Sequence, residues 1–234
     1  MPSTVYLIPS ILAEGKTDCL PLYILDAVKK CDAFFVENER TARRFLKSIW
    51  KEMVIDDYQW FNMKEVTEQA AQQFHQKLRE GKTIGIISEA GCPGVADPGQ
   101  QLVLLAQQQH VTVKPLVGPS SILLALMGSG MNGQQFQFNG YLPIDSSERI
   151  RTLKKLEEES RQKNCTQIFI ETPYRNNQLL EAVIKACMPQ TKICLAVDLT
   201  ADTESIQTKT AQQWKANIPQ INKRPAIFLL YAGS

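Results

Sequence analysis

Short apolar segments alternate with helix-like amphipathic segments along almost the whole chain, and this alternation constrains the fold more than any other feature. Residues 83–87 (Thr-Ile-Gly-Ile-Ile) form an apolar run that is typical of a strand buried on both faces of a parallel sheet. Residues 66–80 place their apolar side chains at helical spacing, on one face. The pattern therefore predicts an α/β fold with mainly parallel sheets covered by helices.

The same order of segments repeats after Gly118, which predicts two α/β domains, residues 1–116 and residues 117–234. Asn62 and Glu65 are expected to cap the helix of residues 66–80. The predicted strands cover residues 4–8, 33–36, 83–87, 111–117, 136–141, 167–170, 193–198 and 225–231. The predicted helices cover residues 22–30, 39–50, 66–80, 102–109, 148–163 and 177–187.

Composition excludes several classes of protein. The 26 basic and 24 acidic residues leave a net charge of +2, so a nucleic-acid partner would need a local basic patch. No apolar run approaches the ~18 residues of a membrane span, and the first residues lack the basic region of a signal peptide. The six cysteines include no Cys-x-x-Cys pair. These features predict a cytoplasmic protein with reduced thiols and no membrane partner.

Histidine is scarce, since the chain contains only His75 and His110. A Ser-His-Asp triad or a histidine-rich zinc site has almost nothing to be built from. The sequence therefore predicts no metal centre and a chemistry that does not depend on imidazole.

Two glycine-bearing bends carry the strongest functional signal. Residues 88–99 (Ser-Glu-Ala-Gly-Cys-Pro-Gly-Val-Ala-Asp-Pro-Gly) leave the carboxyl end of a buried strand, where open α/β sheets bind their ligands. Residues 117–120 (Val-Gly-Pro-Ser) place Ser120 at the start of an apolar helix, whose free amides suit a carboxylate or ribose oxygen. We expect both bends to face a common crevice. Structural turns, with Ser120 as a simple helix cap, are the alternative.

Two nucleotide-binding motifs are excluded. Gly-Lys-Thr occurs at residues 15–17 and 81–83, but the first glycine of a phosphate-binding loop is absent in both places. No Gly-x-Gly-x-x-Gly segment opens a helix, so the chain has no nicotinamide-binding fingerprint.

Five segments in order along residues 37–175 resemble the motifs of one known family. They are Glu-Asn-Glu-Arg at 37–40, Glu-Ala-Gly-Cys-Pro at 89–93 with Ala-Asp-Pro-Gly at 96–99, Val-Gly-Pro-Ser at 117–120, Phe-Asn-Gly-Tyr-Leu-Pro at 138–143 and Glu-Thr-Pro-Tyr-Arg at 171–175. The chain thus resembles the ribosomal RNA small-subunit methyltransferase I family, a branch of the tetrapyrrole methylase superfamily. The resemblance implies S-adenosylmethionine as methyl donor, held in a cleft between two α/β domains, and usually a homodimer.

By position, the resemblance assigns donor contacts to both domains and to the linker. They are Ala90, Gly91, Cys92 and Val95 in the first domain, Ser120 and Ser121 at the linker, and Glu171, Pro225 and Ala226 in the second domain. The implied activity is 2′-O-methylation of a cytidine ribose in small-subunit ribosomal RNA, with the small ribosomal subunit as partner.

Methyl transfer from a sulfonium depends chiefly on alignment, for which orientation supplies about 7–11 kcal/mol. A carboxylate can orient a ribose hydroxyl or accept its proton, and Glu37 and Glu89 are the candidates, with Arg40 as a third catalytic residue. A local ion pair between Glu37 and Arg40 is an equal alternative. Arg43, Tyr141 and Arg175 are the candidates for substrate binding.

The sequence also departs from the family pattern. Residues 8–12 (Ile-Pro-Ser-Ile-Leu) replace a Thr-Pro-x-Gly-Asn-type loop, Asn38 and Glu39 replace Asp and Thr, Glu89 replaces Asp, and Tyr174 replaces His. By the resemblance, these positions contact the methyl acceptor rather than the methyl donor. Three hypotheses therefore stay open: an RNA ribose methyltransferase, a methyltransferase for a tetrapyrrole or other small molecule, and a donor-binding protein without activity.

Two groups of basic residues are candidates for a rim that contacts phosphates. The first is Arg40, Arg43, Arg44 and Lys47; the second is Arg149, Arg151, Lys154 and Lys155. Because residues 157–159 are all glutamate, a solvated, salt-bridged helix face is the favoured interpretation of the second group.

Overall fold

The computed structural model describes residues 3–233. The chain divides into two compact units, Met1–Ser120 and Ser121–Ser234, whereas the sequence prediction placed the boundary after Leu116. Across residues 3–233, no helix combines the length and the apolar character that crossing a bilayer requires. The same residues contain no cluster of three or more His, Cys, Asp or Glu side chains placed to hold a metal ion.

The first unit alternates strands and helices, as the sequence predicts. Its elements are β1 (Thr4–Leu7), α1 (Ile24–Val28), β2 (Ala33–Val36), α2 (Glu39–Ile49), β3 (Gln59–Asn62), α3 (Glu68–Arg79), β4 (Thr83–Ile87), α4 (Gly99–Gln108) and β5 (Thr112–Pro115). The strands form one sheet in the order β3-β2-β4-β1-β5, and all neighbouring strands are parallel. The predicted parallel α/β architecture is confirmed for this unit.

Both faces of this sheet are covered, which explains the continuous apolar runs of its central strands. Successive residues of β1 point to opposite faces, so Tyr6 joins the core with α1 and α2, and Leu7 joins the core with α3 and α4. Phe34 and Phe35 divide in the same way on β2, and both are fully buried.

Three details of the first unit differ from the sequence prediction. Strand β3, at the sheet edge, was not predicted because its residues lack a clear apolar alternation. Helix α1 is shorter than residues 22–30, and Leu22 is 94% exposed. The predicted Asn62–Glu65 capping pair is wrong: the Asn62 carboxamide oxygen accepts a local bond from the Lys64 amide, and Thr67 caps α3 instead.

The second unit begins with α5 (Ser121–Ser129) and contains the rest of the elements. They are β6 (Phe136–Tyr141), α6 (Ser146–Lys163), β7 (Thr166–Ile170), α7 (Asn176–Ala186), β8 (Lys192–Val197), β9 (Ser205–Thr210), α8 (Ala211–Ala216) and β10 (Ala226–Tyr231). The sheet order is β6-β7-β10-β8-β9.

The prediction of a mainly parallel sheet is wrong for the second unit. Only β6 and β7 are parallel, whereas β10 runs antiparallel to β7 and β8, and β9 runs antiparallel to β8. For β8 and β9 the physical reason is the short connection between them: β8 ends at Val197 and β9 begins at Ser205. A parallel connection needs a crossover of about a dozen residues or more. Strand β9 and helix α8 were not predicted, because β9 is a mostly polar edge strand.

The core of the second unit lies between one face of its sheet and helices α6, α7 and α8. Phe169 on β7 and Phe228 on β10 occupy opposing register positions, and their rings stack with centroids 5.9 Å apart. Helix α5 packs against β8, β9 and β10. Strands β7 and β10 therefore contribute buried aromatic side chains to the centre of this unit's core.

Candidate functional site

In the first unit, the two glycine-bearing bends meet beyond the carboxyl ends of β1, β4 and β5. The Ser10 amide donates to the Gly91 carbonyl (2.9 Å), which ties the loop after β1 to the loop after β4. The Cys92 thiol lies 3.5 Å from the Gly118 carbonyl oxygen and 3.4 Å from that of Pro119. The two segments singled out by sequence are therefore in direct contact.

Glycine is required at specific points of these bends. Gly91 and Gly94 have φ angles of 74° and 83°, a left-handed conformation that residues with a side chain rarely adopt. A Cβ atom on Gly118 would lie 2.1 Å from the Cβ of Pro9. At Gly118 the neighbouring loop therefore approaches too closely for a side chain.

Asp97 holds the glycine-rich loop in shape. Its carboxylate accepts bonds from the Gly94 amide (2.9 Å) and from the Gly99 amide (2.7 Å), the first residue of α4. Burial raises the pKa of the Asp97 carboxyl, an effect that these two bonds partly offset. The sequence reasoning missed this role, although an aspartate just before a Pro-Gly helix start is typical of such a cap.

Glu37 reaches the same loop from the end of β2. Its carboxylate accepts a bond from the Glu89 backbone amide, 2.9 Å away. Burial raises the pKa of the Glu37 carboxyl; the bond to Glu89 lowers it, and the charges of Asp97 and Glu89 raise it further. Within residues 3–233, no ion pair joins Glu37 to Arg40, so the expected alternative of a local pair is wrong.

The basic residues of α2 differ in what they contact. Arg43 forms an ion pair with Glu39, and its guanidinium lies 5.0 Å from the Trp60 ring centroid. Lys47 donates to the carbonyls of Lys51 and Met53 and so closes the end of the helix.

Two arginines of α2 have exposed guanidinium groups that could contact a ligand. Arg44 is 3.9 Å from Glu14, and both side chains are mostly exposed. Arg40 is exposed and has no hydrogen-bonding or ionic partner in the described part of the chain. Of the predicted first basic group, Arg40 and Arg44 are therefore the residues whose guanidinium groups are open to a phosphate.

A cavity of about 460 Å³ lies beside these residues, between α2 and the loop after β1. We call it the α2 cavity. It is lined by Ile11, Leu12, Thr41, Arg44, Phe45 and Ser48, and it extends to Glu89 and Ala90 at the start of the glycine-rich loop. The sequence reasoning did not find it, because its walls come from segments more than 25 residues apart.

The remaining donor candidates of the first unit lie on the same bends. Ala90 and Val95 are exposed, Gly91 is buried and Cys92 is half-buried. Ser120, at the end of the second bend, is half-buried. Burial raises the pKa of the Cys92 thiol, and the Asp97 charge adds to this effect, so the thiol is favoured over the thiolate.

Most candidates of the second unit lie at the same end of neighbouring strands. Because β10 is antiparallel to β7, Ala226 at the start of β10 lies next to the end of β7, which Glu171 follows. Tyr141 pairs in register with Ile170 at the end of β7 and is 63% exposed. Pro225 is exposed, and its carbonyl accepts a bond from the Asp198 amide (2.9 Å). Ser121 is the half-buried first residue of α5.

Glu171 and Arg175, predicted as a donor contact and a substrate contact, bind each other. The Arg175 guanidinium donates to the Glu171 carboxylate at 2.7 Å, and the Thr172 amide donates to the same oxygen at 2.7 Å. The Glu171 side chain is only 2% exposed, whereas that of Arg175 is 34% exposed. The pair thus holds a buried carboxylate at the end of β7.

The favoured interpretation of the second basic group, a solvated and salt-bridged helix face, holds only in part. Within residues 3–233, Lys155 is the one member that forms an ion pair, with Glu159 at 3.8 Å, while Arg151 and Lys154 are exposed. Arg149 is buried, and its guanidinium donates to the Ile144 carbonyl. A continuous phosphate-binding rim on α6 is not supported by these contacts.

Residues 14–214 match the family of Tetrapyrrole (Corrin/Porphyrin) Methylases, and the chain belongs to this family. This result confirms the resemblance drawn from the five sequence motifs.

Curated relatives carry the name ribosomal RNA small subunit methyltransferase I. The protein from Vibrio cholerae is 31% identical over 87% of this chain, and that from Micromonospora olivasterospora is 32% identical over 86%. A third, from Halalkalibacterium halodurans, is 28% identical over 77% of this chain. The aligned part spans 67%, 61% and 59% of the three relatives' own lengths.

Solved structures share the fold at lower identity. Diphthine synthase superposes with a TM-score of 0.68 at 11% identity, covering 98% of this chain and 90% of its own. The methyltransferase CobJ gives a TM-score of 0.63 at 16% identity, covering 98% and 93%. Uroporphyrin-III C-methyltransferase from Thermus thermophilus, solved with S-adenosylhomocysteine, gives 0.58 at 15% identity, covering 97% of each chain.

Proposed function

We propose that this chain is an S-adenosylmethionine-dependent methyltransferase that methylates the 2′-hydroxyl of a cytidine ribose in small-subunit ribosomal RNA. The observation that carries the proposal is the direct contact between the two glycine-bearing bends, which is made by Cys92 with the carbonyls of Gly118 and Pro119. The names of the sequence relatives support the choice of acceptor. We further propose that the protein works in the cytoplasm as a homodimer.

The residues present fit the proposed donor. A nucleoside bound by main-chain atoms needs a loop without bulky side chains, and Gly91, Gly94 and Gly118 provide one. The proposed donor contacts are Ala90, Gly91, Cys92, Val95 and Ser120 from the first unit and Ser121, Glu171, Pro225 and Ala226 from the second. The donor, when bound, supplies an electrophilic methyl group on a sulfonium.

Glu37 and Glu89 are the carboxylates proposed to act on the acceptor hydroxyl. Glu89 is exposed at the start of the loop, while Glu37 is half-buried and holds the Glu89 amide. Because burial raises the pKa of Glu37, its carboxylate is a stronger proton acceptor than that of an ordinary glutamate. One carboxylate would orient the hydroxyl and accept its proton as the oxygen–methyl bond forms and the sulfur–methyl bond breaks, which would leave S-adenosylhomocysteine.

Arg40 is proposed to anchor a phosphate next to the reacting ribose. An exposed guanidinium without a protein partner can form bidentate bonds to phosphate oxygens. Arg43, Tyr141 and Arg175 remain proposed substrate contacts. Arg43 and Arg175 already hold Glu39 and Glu171, so their roles would include fixing those carboxylates.

Calorimetry with S-adenosylhomocysteine, followed by transfer of a radiolabelled methyl group to small ribosomal subunits that lack the modification, tests the proposal. We expect binding and transfer for the wild type. Arg40→Ala should keep donor affinity and lose transfer by at least about tenfold, whereas Arg79→Ala, an exposed arginine on α3, should change neither.

The alternatives give different results. Donor binding with transfer to a tetrapyrrole and not to RNA would identify a small-molecule methyltransferase. Donor binding without transfer to any acceptor would identify a binding protein that has lost catalysis. The absence of donor binding would contradict the proposal as a whole.

A further inference from the structure

The α2 cavity has two chemically distinct parts. Its floor is apolar: Phe45 is 4% exposed and packs in the core, and Ile11 and Leu12 are half-buried on the wall formed by the loop after β1. Its rim is polar and carries the exposed guanidinium of Arg44. A ligand for this cavity needs a flat or apolar part and a negatively charged part on one side.

The Arg44 guanidinium is available to such a ligand. Its partner Glu14 is 3.9 Å away, and the two side chains are 65% and 91% exposed. A pair of this length and exposure contributes little to stability, so a phosphate can displace it. The Ser48 hydroxyl, in contrast, already donates to the Phe45 carbonyl at 2.6 Å.

The volume and the charged lining of the α2 cavity distinguish between the possible methyl acceptors. The volume of about 460 Å³ lies within the range of about 300–1,000 Å³ of pockets that hold small ligands. The lining contains one cation, Arg44, and two carboxylates, Glu14 and Glu89. A macrocycle bearing several carboxylates would meet repulsion from both glutamates. A nucleotide, with one neutral aromatic base and one phosphate, matches the single cation and the apolar floor.

We propose that the α2 cavity binds one unpaired nucleotide of the RNA acceptor, with its base against Ile11, Leu12 and Phe45 and its phosphate at Arg44. Unstacked bases in single strands are commonly held against apolar side chains in this way. The proposal rests on the proposed RNA methyltransferase function. Since the cavity extends to Glu89 and Ala90, a nucleotide there would position the acceptor strand next to the glycine-rich loop. Ile11 and Leu12 would then be specificity-determining residues.

Two substitutions test the cavity in the full chain. Ser48→Trp fills it from an exposed position of α2, and Arg44→Glu reverses the charge at its rim. Each should raise KM for small ribosomal subunits by roughly tenfold or more and leave S-adenosylhomocysteine affinity unchanged. Gln69→Trp and Arg79→Glu make the same chemical changes at exposed positions of α3 and should leave KM unchanged.

A second measurement does not depend on activity. In methyl NMR of the wild type, millimolar cytidine 5′-monophosphate should shift the Ile11 and Leu12 methyl signals, while ribose 5-phosphate, which lacks the base, should not. Shifts without RNA methylation would refute the proposed function but support a nucleotide site. RNA methylation with unchanged KM in both variants and no shifts would overturn the cavity proposal. Loss of donor affinity in Ser48→Trp would also overturn it, because the cavity would then belong to the donor site.

Discussion

The carboxylate of Glu37 accepts a hydrogen bond from the backbone amide of Glu89, across 52 positions of sequence. The bond joins the end of β2 to the first residues of the glycine-rich loop. It places a half-buried carboxylate of raised pKa directly beside the segment proposed to bind the donor. The position of this loop therefore depends on a residue from a neighbouring strand of the parallel sheet.

The pKa of Glu37 gives stability a specific pH dependence. Because burial raises this pKa, the folded chain keeps a proton at pH values where the unfolded chain has lost it. The stability from this group is therefore full below the ordinary carboxyl pKa, about 4.3, and is lost as pH rises through the higher folded value. Glu37→Gln removes the charge and keeps an acceptor for the Glu89 amide. The Tm of the variant minus that of the wild type should increase with pH over this window.

Thermal unfolding from about pH 3 to pH 8 measures that difference, with Glu52→Gln, an exposed carboxyl, as control. A difference that stays constant with pH would show that the charge of Glu37 is not penalised by burial. In the methyl-transfer assay, Glu37→Gln should lower kcat by about 10²–10⁴-fold if Glu37 is the base.

Substitution of Gly118 should disrupt the contact between the two bends. In Gly118→Ala the new Cβ would lie 2.1 Å from the Cβ and 2.4 Å from the Cγ of Pro9, so one loop must move. We expect a loss of about 1–3 kcal/mol in the free energy of unfolding and weaker S-adenosylhomocysteine binding. Gly133→Ala, where no atom lies within 4 Å of the new Cβ, should not affect donor binding. Equal donor affinity in both variants would contradict the prediction.

Asp97 should stabilise the loop through its acceptor oxygens rather than its charge. Asp97→Ala leaves the Gly94 and Gly99 amides without their partner, at a cost of about 1–3 kcal/mol and with weaker donor binding. Asp97→Asn keeps one acceptor oxygen and removes a charge that burial disfavours, so it should be less harmful at neutral pH. Urea denaturation of both variants provides the comparison; an asparagine variant as unstable as the alanine variant would refute the argument.

Arg175 should act on Glu171 as well as on any substrate. Arg175→Ala leaves a carboxylate of 2% exposure without its cation, and we expect a loss of about 1.5–3 kcal/mol. In Glu171→Gln the same arginine substitution should cost less, because no buried charge remains. A double-mutant cycle measures the coupling. A coupling energy near zero would leave substrate binding as the only role for Arg175.

Lys47 and Arg40 lie on the same helix, but their substitution by alanine should have different effects. Lys47 donates to two carbonyls beyond the end of α2, so Lys47→Ala should lower Tm and change RNA methylation only through stability. Arg40→Ala should leave Tm unchanged and lose methylation. Thermal unfolding combined with the methyl-transfer assay separates the two effects. A loss of Tm in Arg40→Ala would show that Arg40 has a structural role.

The sequence predicted most strands and helices of the first unit because the local spacing of apolar residues specifies them. Strands β2 and β4 agree with the predicted residues 33–36 and 83–87, since each is an apolar run between helical patterns. It predicted the second sheet poorly. Strand β9 is mostly polar and lies at the edge of the sheet, so it lacks a strand-like apolar pattern. No local sequence pattern indicates that β10 runs antiparallel to its neighbours.

The glycine-bearing bends were identifiable from sequence because backbone conformation and close approach restrict those positions to glycine, whatever surrounds them. The partners of charged side chains were not identifiable. Lys47 and Arg40 look alike in a helix, yet the carbonyls after α2 engage one and leave the other exposed. The α2 cavity likewise exists only where a loop and a helix from different parts of the chain converge.

The sequence by itself determined the strand and helix periods, the covered parallel sheet of the first unit and the glycine positions of the two bends. These follow from interactions within a few residues and from the steric limits of each residue. Only the tertiary structure decided the strand directions of the second sheet, the Glu37–Glu89 bond and the pairing of Arg175 with Glu171. Strand direction depends on which distant segments bury their apolar faces together, and the two side-chain contacts depend on which groups that burial brings within hydrogen-bonding distance.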